Sequence, residues 1–369
     1  MSKSEVFFTN MRCEFGDSLL KKLSRILDKA NIGSMELDRK FAAIKIHFGE
    51  PGNLAFLRPN FAKTLADKIT GLGGRPFLTD CGTLYVGRRT HALSHLEAAQ
   101  ENGYWPATAG CQIIIGDGLK GTDDVEVPIE GGIVLKTALI GRAIMDADVV
   151  FSLNHFKGHE GTGFGGAIKN LGMGSGSRAG KMAMHNDGKP RVHPVRCVGC
   201  KTCAKYCAQS AISFDEKKAS IDENACVGCG RCLGSCNYHA IVIDWDSAGD
   251  ALNRKMAEYA KAVVQGRPNF HVNVVNQVSP YCDCHAENDA AVVPDLGIFA
   301  SYDPVAADAA CVEAVNRATA LAGSIVDDRP KGGKDLFTRI HPNTDWRSQL
   351  EHAEKIGLGR MAYKLVTVK

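Results

Sequence analysis

Eight of the chain's 14 cysteines fall between Cys197 and Cys236. They form an internal repeat. CVGCKTCAKYCAQSAI, starting at Cys197, aligns with CVGCGRCLGSCNYHAI, starting at Cys226, at an offset of 29 residues with eight of 16 positions identical. Each copy has the spacing C-x2-C-x2-C-x3-C and ends in an Ala-Ile step that predicts a short strand. Between the copies, AISFDEKKASID predicts a hairpin turning at Asp215–Lys218. The first residues, MSKSEVFFTNMRCEF, lack the uninterrupted apolar stretch of a secretory signal. Clustered thiols in such a chain point to metal rather than to disulfides.

The spacing is the two-cluster bacterial ferredoxin arrangement. Three closely spaced thiolates can wrap three irons of one cubane, while the fourth cysteine of each run reaches the opposite cluster. Cys197, Cys200, Cys203 and Cys236 are therefore expected to hold one [4Fe–4S] cluster, and Cys226, Cys229, Cys232 and Cys207 the other. Zinc would need only two separated C-x2-C pairs and would leave the third and fourth cysteines of each run without a purpose. Ala208 and Asn237 stand where such runs usually carry proline, which bears on local rigidity and potential rather than on ligation. From Pro190 to Trp245 there are seven Lys/Arg and five Asp/Glu, a net of +2. That charge suits clusters serving their own chain better than an acidic free carrier.

Around this block the chain reads as alternating strands and helices. Strands are expected at Phe41–Phe48, Arg75–Cys81, Cys111–Asp117 and Asp148–His155, with helices over Leu57–Gly71, Thr90–Asn102 and Ala138–Ala147. Past the cysteines, a helix is expected at Ala251–Gln265 and strands at His271–Val278 and Leu296–Ser301. A helix capped by Asp303 and opened by Pro304 follows, then a helix near Ser348–Lys355 and a strand at Ala362–Val368. The expected fold is α/β: a mainly parallel sheet domain in two chain segments, 1–189 and 246–369, with an inserted α+β two-cluster ferredoxin-type domain at 190–245. Apolar residues at 44% and charged residues at 23% are enough for a packed core. A net charge of +3 excludes the electrostatic footprint of a nucleic-acid binder. No window approaches the roughly 18 apolar residues of a spanning helix, so a soluble, cytoplasmic protein is expected.

Two further segments carry chemistry. Gly158–Gly180 holds nine glycines in 23 positions, beside Lys157, Lys169, Arg178 and Lys181. Gly161, Gly163 and Gly166 match G-x-G-x-x-G, but no acidic ribose partner closes a recognisable βαβ unit. The broader reading is a nest in which Gly161, Gly163, Gly165, Gly166 and Lys157 cradle an anionic cofactor or ligand; a flexible loop with solvated charges is the alternative. His155 and His159 flank Lys157, and in a strand all three would face one side. The second segment is Pro280-Tyr281-Cys282-Asp283-Cys284-His285. C-x-C is too tight for an easy disulfide, but Cys282 and Cys284 could face one metal with Asp283 or His285 nearby; a reactive redox pair or two unrelated buried thiols are the alternatives.

These motifs together resemble the family called domain of unknown function 362, described as iron–sulfur-centre proteins. The resemblance rests on Lys157–Gly174 (KGHEGTGFGGAIKNLGMG), the ferredoxin-type repeat, the Cys282-Asp283-Cys284 step and Pro294–Ala310 (PDLGIFASYDPVAADAA). GFGGAIKNLG is also similar to the Gly-Gly-x-Lys segment of the nickel-pincer lactate racemase family, which implies a ligand cleft near Lys169. The function expected from these residues is an oxidoreductase whose two clusters relay electrons to a substrate or second cofactor in an α/β cleft. Lys169 would stabilise negative charge, His159 would supply a proton, and Cys284 would complete the site. The alternatives are an electron carrier without chemistry of its own and a metal- or cofactor-maturation protein using Cys282 and Cys284. A redox partner protein or a small-molecule substrate is expected, and no nucleic acid or membrane. No flavin or molybdopterin motif stands out, and the residues leave a further metal or flavin open.

Overall fold

The computed structural model describes residues 3–84, 87–186, 189–207, 209–226, 231–242, 249–329 and 335–369. Eight segments form one sheet: Ser4–Asn10 (β1), Phe41–Lys45 (β2), Arg75–Asp80 (β3), Gln112–Ile115 (β4), Val149–His155 (β5), Asn269–Val275 (β6), Gly297–Ser301 (β7) and Tyr363–Thr367 (β8). Their order across the sheet is β8-β1-β7-β6-β5-β2-β3-β4. From β4 to β6 every pairing is parallel. β7 alone runs antiparallel to its neighbours, and β1 and β8 pair in parallel at the far edge.

A parallel sheet must be covered on both faces, because its crossover connections lie over them. All seven residues of β5 are accordingly buried. On one face pack Leu19–Lys29 (α1), Pro59–Gly71 (α2) and Ala92–Glu101 (α3), with Leu23, Ile26, Leu65, Ile69 and Ala99 against Ile44, Phe151 and Phe270. On the other pack Ala167–Ser175 (α4), Gly249–Val264 (α6) and Pro304–Arg317 (α7), with Ile168, Met256 and Val305 against Val150 and Phe299. A further helix, Arg178–Asn186 (α5), follows α4. Asp303 caps α7 as its sequence predicts, accepting from the Val305 and Ala306 amides, with Pro304 as its first residue.

Two regions depart from the sequence reading. Ala138–Ala147, expected to be one helix, divides into a strand at Thr137–Gly141 and a single turn at Arg142–Met145. Pairing with Asp124–Pro128 overrides the helical character of Ala138, Leu139 and Ile140, two of which are fully buried. The strand β1 and the helix α1 fall in a region where no element was expected.

The described residues between 191 and 242 lie outside the main sheet. The hairpin Ile212–Asp215/Lys218–Ile221 turns on Glu216 and Lys217, both at positive φ (42° and 71°), as a two-residue hairpin requires. Arg191–Val192 pairs antiparallel with Ile241–Val242, so the segment's two ends lie side by side. Its small apolar cluster joins Cys197, Cys203, Cys232 and Leu233 to Leu84 and Met182 of the larger body. The expected boundary near Trp245 lies outside the described residues.

Candidate active-site cleft

The apolar strands end in polar residues at one edge: Lys45 on β2, Asp80 on β3, and Asn154 and His155 on β5. Ligands of open parallel sheets gather at this carboxyl edge. Here the segments leaving β2, β3, β5 and β6 converge. Cys282 Sγ lies 3.0 Å from Lys169 Nζ and 3.0 Å from Cys284 Sγ, and Cys284 Sγ lies 3.3 Å from His47 Nε2. Both cysteines are free; Cys282 is buried and Cys284 partly exposed. Contact with Cys284 pulls the Cys282 thiol down to about 6 against its burial, with Lys169 assisting. Burial alone would lower the Lys169 ammonium, but the charges of Cys282 and Cys284 outweigh it and raise the group above its ordinary value.

Asp283, between the two thiols, is fully buried. Its carboxylate meets His155 Nδ1 at 2.9 Å and Lys157 Nζ at 3.1 Å, and its carbonyl accepts from the Glu50 amide at 2.9 Å. Burial would raise this carboxyl, but His155 and Lys157 hold it well below the usual carboxylate range. Glu50 Oε2 in turn grips Arg89 Nε at 2.8 Å, and Arg89 Nη1 lies 2.8 Å from His47 Nε2. Burial and then the Arg89 cation push His47 down to about 4, so its ring is neutral at pH 7.

Glu160 borders the other side. It accepts from His285 Nε2 at 3.0 Å and from the Cys282 amide at 3.4 Å. The Nδ1 of His159 accepts from the Gly161 and Thr162 amides at 3.1 and 3.0 Å, so its proton sits on Nε2. Burial lowers His159 to about 4. At neutral pH it offers a hydrogen bond from Nε2 and holds no second proton to release. Beneath the thiols, Lys45 and Asp80 form a buried pair at 2.9 Å, and Lys45 also donates to Asn170 Oδ1 at 2.7 Å. Asn170 follows Lys169 on α4, so one helix serves both the thiols and the buried pair.

The glycine-rich segment thus supplies Lys157, His159 and Lys169 to the cleft, and its glycines are places of close approach. A Cβ at Gly158 would stand 2.3 Å from the Pro280 carbonyl oxygen, and one at Gly165 2.9 Å from Lys169 Cδ. Gly161 gives its amide to His159, and Gly163 takes φ +83°. Gly166 lies against Asp308, whose carboxylate accepts from the Ala167 and Ile168 amides at 2.7 and 2.9 Å. The anion at the N-terminus of α4 is therefore internal. His47, Glu50, Asp80 and Arg89 were not singled out from the sequence. For His47 and Asp80 the signal is a polar residue at or just beyond the end of an apolar strand, as in FAAIKIHF; Glu50 and Arg89 lie further along their loops and carry none.

In the cysteine segment, Cys197, Cys200, Cys203 and Cys236 line one small cavity, although Cys236 comes from the second repeat. The Ala219, Ala240 and Ala211 amides each donate at 3.3 Å to the sulfurs of Cys197, Cys236 and Cys207. Cys226 is partly exposed and Cys232 buried, while Cys229 lies outside the described residues. Among the described residues no three His, Cys, Asp or Glu side chains gather into a group able to hold a metal ion. Among them, too, no helix is long and apolar enough to cross a membrane.

No curated protein matches the chain. Among solved structures, the lactate racemase apoprotein from Thermoanaerobacterium thermosaccharolyticum is similar at 14% identity and a TM-score of 0.41, covering 82% of this chain and 52% of that one. A protein from Thermotoga maritima is similar at 14% identity and a TM-score of 0.40, covering 79% of this chain and 57% of that one. The chain spans little more than half the length of either structure. A family match extends over residues 42–313, from the second strand of the sheet to the last long helix, and takes in both the cleft and the cysteine segment. The chain belongs to that family, described as Domain of unknown function (DUF362).

Proposed function

We propose that this chain is an iron–sulfur oxidoreductase that passes electrons between two [4Fe–4S] clusters in residues 190–245 and a substrate or second cofactor in the α/β cleft. The observation that carries the reading is the cavity shared by Cys197, Cys200, Cys203 and Cys236. Three thiols of one repeat and the last thiol of the other line it, the set that crossed ligation of a cubane would use. A cubane spreads its four thiolates around four irons rather than gathering them on a single ion. When bound, the clusters supply one-electron transfer.

The chain's own groups have distinct tasks. The Ala219, Ala240 and Ala211 amides moderate the negative charge on the Cys197, Cys236 and Cys207 sulfurs, a lever on cluster potential. In the cleft, Lys169 fixes positive charge against Cys282, and His159 Nε2 offers a hydrogen bond. Asp283, pinned by His155 and Lys157, holds the thiol-bearing loop in place. A reducing, cytoplasmic setting suits so many free thiols.

The test is anaerobic purification with iron and sulfide analysis. About eight of each per chain are expected from eight thiolates. Cys207→Ser should perturb the cluster whose other ligands are Cys226, Cys229 and Cys232. Loss of the Cys197 cluster instead would overturn the crossed ligation, and absence of iron and sulfide from anaerobic protein would overturn the reading itself.

A further inference from the structure

We propose that Cys282 and Cys284 form a redox-active dithiol–disulfide couple, the two-electron centre of the cleft. This rests on the oxidoreductase reading above and identifies the second cofactor of that reading as part of the chain itself.

The two sulfurs stand 3.0 Å apart as free thiols, about 1 Å beyond the bonded separation of roughly 2.05 Å. The loop between them is held at three points: His155 and Lys157 take the Asp283 carboxylate, and the Glu50 amide takes its carbonyl. That anchorage keeps the sulfurs as close neighbours. Their surroundings are unequal. Cys282 is buried against the Lys169 ammonium, whereas Cys284 is partly exposed beside His47. A buried, charge-matched sulfur next to a reachable one is the asymmetry that thiol–disulfide exchange uses.

In the reduced form the pair carries one thiolate, matched by Lys169, and one thiol. Oxidation forms the Sγ–Sγ bond, releases the thiol proton, and yields two electrons. Each of the two one-electron iron–sulfur centres of the proposed reading accepts one. Reduction runs the same step backwards and returns the proton to the pair. Lys169 favours the reduced form, because its charge meets a thiolate there and nothing ionic in the disulfide. A stabilised reduced form makes a couple more oxidising.

The experiment equilibrates anaerobically purified protein in thiol–disulfide buffers across a range of potentials. Samples are quenched in acid and alkylated, and the peptide bearing Cys282 and Cys284 is weighed. One two-electron transition is expected, between a doubly alkylated peptide and an unalkylated one lighter than the dithiol by two hydrogens. Cys284→Ser should abolish it. Lys169→Met should shift the equilibrium about tenfold toward the disulfide, about 30 mV more negative, and Lys169→Arg should restore it. Two alkylated thiols at every potential, in protein with an unchanged thermal transition, would overturn the proposal. So would buffer thiol captured on Cys284 while Cys282 stays free, or a folded Lys169→Met protein with an unmoved midpoint. Iron and sulfide measured on the same samples separate the two readings. A couple without iron would retain this proposal and sink the oxidoreductase reading, and two cubanes without a couple would do the reverse.

Discussion

Gly158→Ala presses a methyl group into the loop that carries the two thiols. Gly158 sits in the short strand Lys157–His159, and its amide donates to the Ser279 carbonyl at 2.8 Å. A Cβ there would stand 2.3 Å from the Pro280 carbonyl oxygen and 2.7 Å from its carbon, whereas ordinary contact begins near 3.4 Å. That oxygen is already fixed by His341 Nε2 at 2.7 Å, so it has little freedom to yield. Strand and loop must part by about 1 Å. Losing the amide hydrogen bond costs ~0.5–1.5 kcal/mol and overpacking a further ~1–3 kcal/mol, for a combined destabilisation of about 1.5–4.5 kcal/mol. Equilibrium denaturation reads this directly, and alkylation of Cys282 should quicken as the loop lifts from Lys169. Gly71→Ala is the matched control: it lies at the end of α2 with no atom within 4 Å of its would-be Cβ. That change should be neutral or stabilising by up to about 1 kcal/mol. If Gly158→Ala matched the parent within about 0.5 kcal/mol and left Cys282 protected, the claim that close approach fixes this loop would be wrong.

Two other outcomes follow from buried groups and from the cysteine segment. Burial raises the Asp117 carboxyl from 3.8 to about 6 against the pull of Lys181. It holds its proton more tightly folded than unfolded, so its contribution is full below about pH 4 and lost as pH rises through about 6. The loss amounts to ~2–3 kcal/mol, and Asp117→Asn should flatten the stability profile across that window in denaturant titrations. Replacing Pro190–Trp245 by a short linker should leave a cooperatively melting α/β domain, because Arg191–Val192 and Ile241–Val242 lie side by side. Aggregation without a thermal transition would refute the independence of that domain.

The parallel core was legible in the sequence because buried strands read as apolar runs, and Phe41–Lys45 and Val149–His155 appear within a few residues of where periodicity puts them. The hairpin at Glu216–Lys217 was equally plain, since its turn residues are hydrophilic between two short alternating strands. Thr137–Gly141 was misread because its strand character comes from a partner, Asp124–Pro128, and not from its own composition. The cleft was half visible. Lys169, Cys282 and Cys284 stand out as unusual residue types in unusual contexts. His47, Glu50 and Arg89 reach the same cleft from other loops, and only the order of strands in the sheet brings them there. The glycines were expected to free amides for a ligand. The structure shows them as places of close approach, Gly165 to Lys169 on the following helix and Gly158 and Gly166 to Pro280 and Asp308, neighbours more than a hundred residues away.

The position of β1 governs when this protein can finish folding. Ser4–Asn10 pairs on one side with Gly297–Ser301 and on the other with Tyr363–Thr367. β1 therefore has no sheet partner until Gly297–Ser301 has been made, and lacks its second until Tyr363–Thr367 follows. During synthesis it waits as an unpaired segment with apolar Val6, Phe7 and Phe8 exposed. Such long-range closure slows folding, and it places the strand where a holding chaperone would have the most to do. Refolding of residues 1–369, with both partners present from the outset, should escape the wait for synthesis but keep the slow long-range closure.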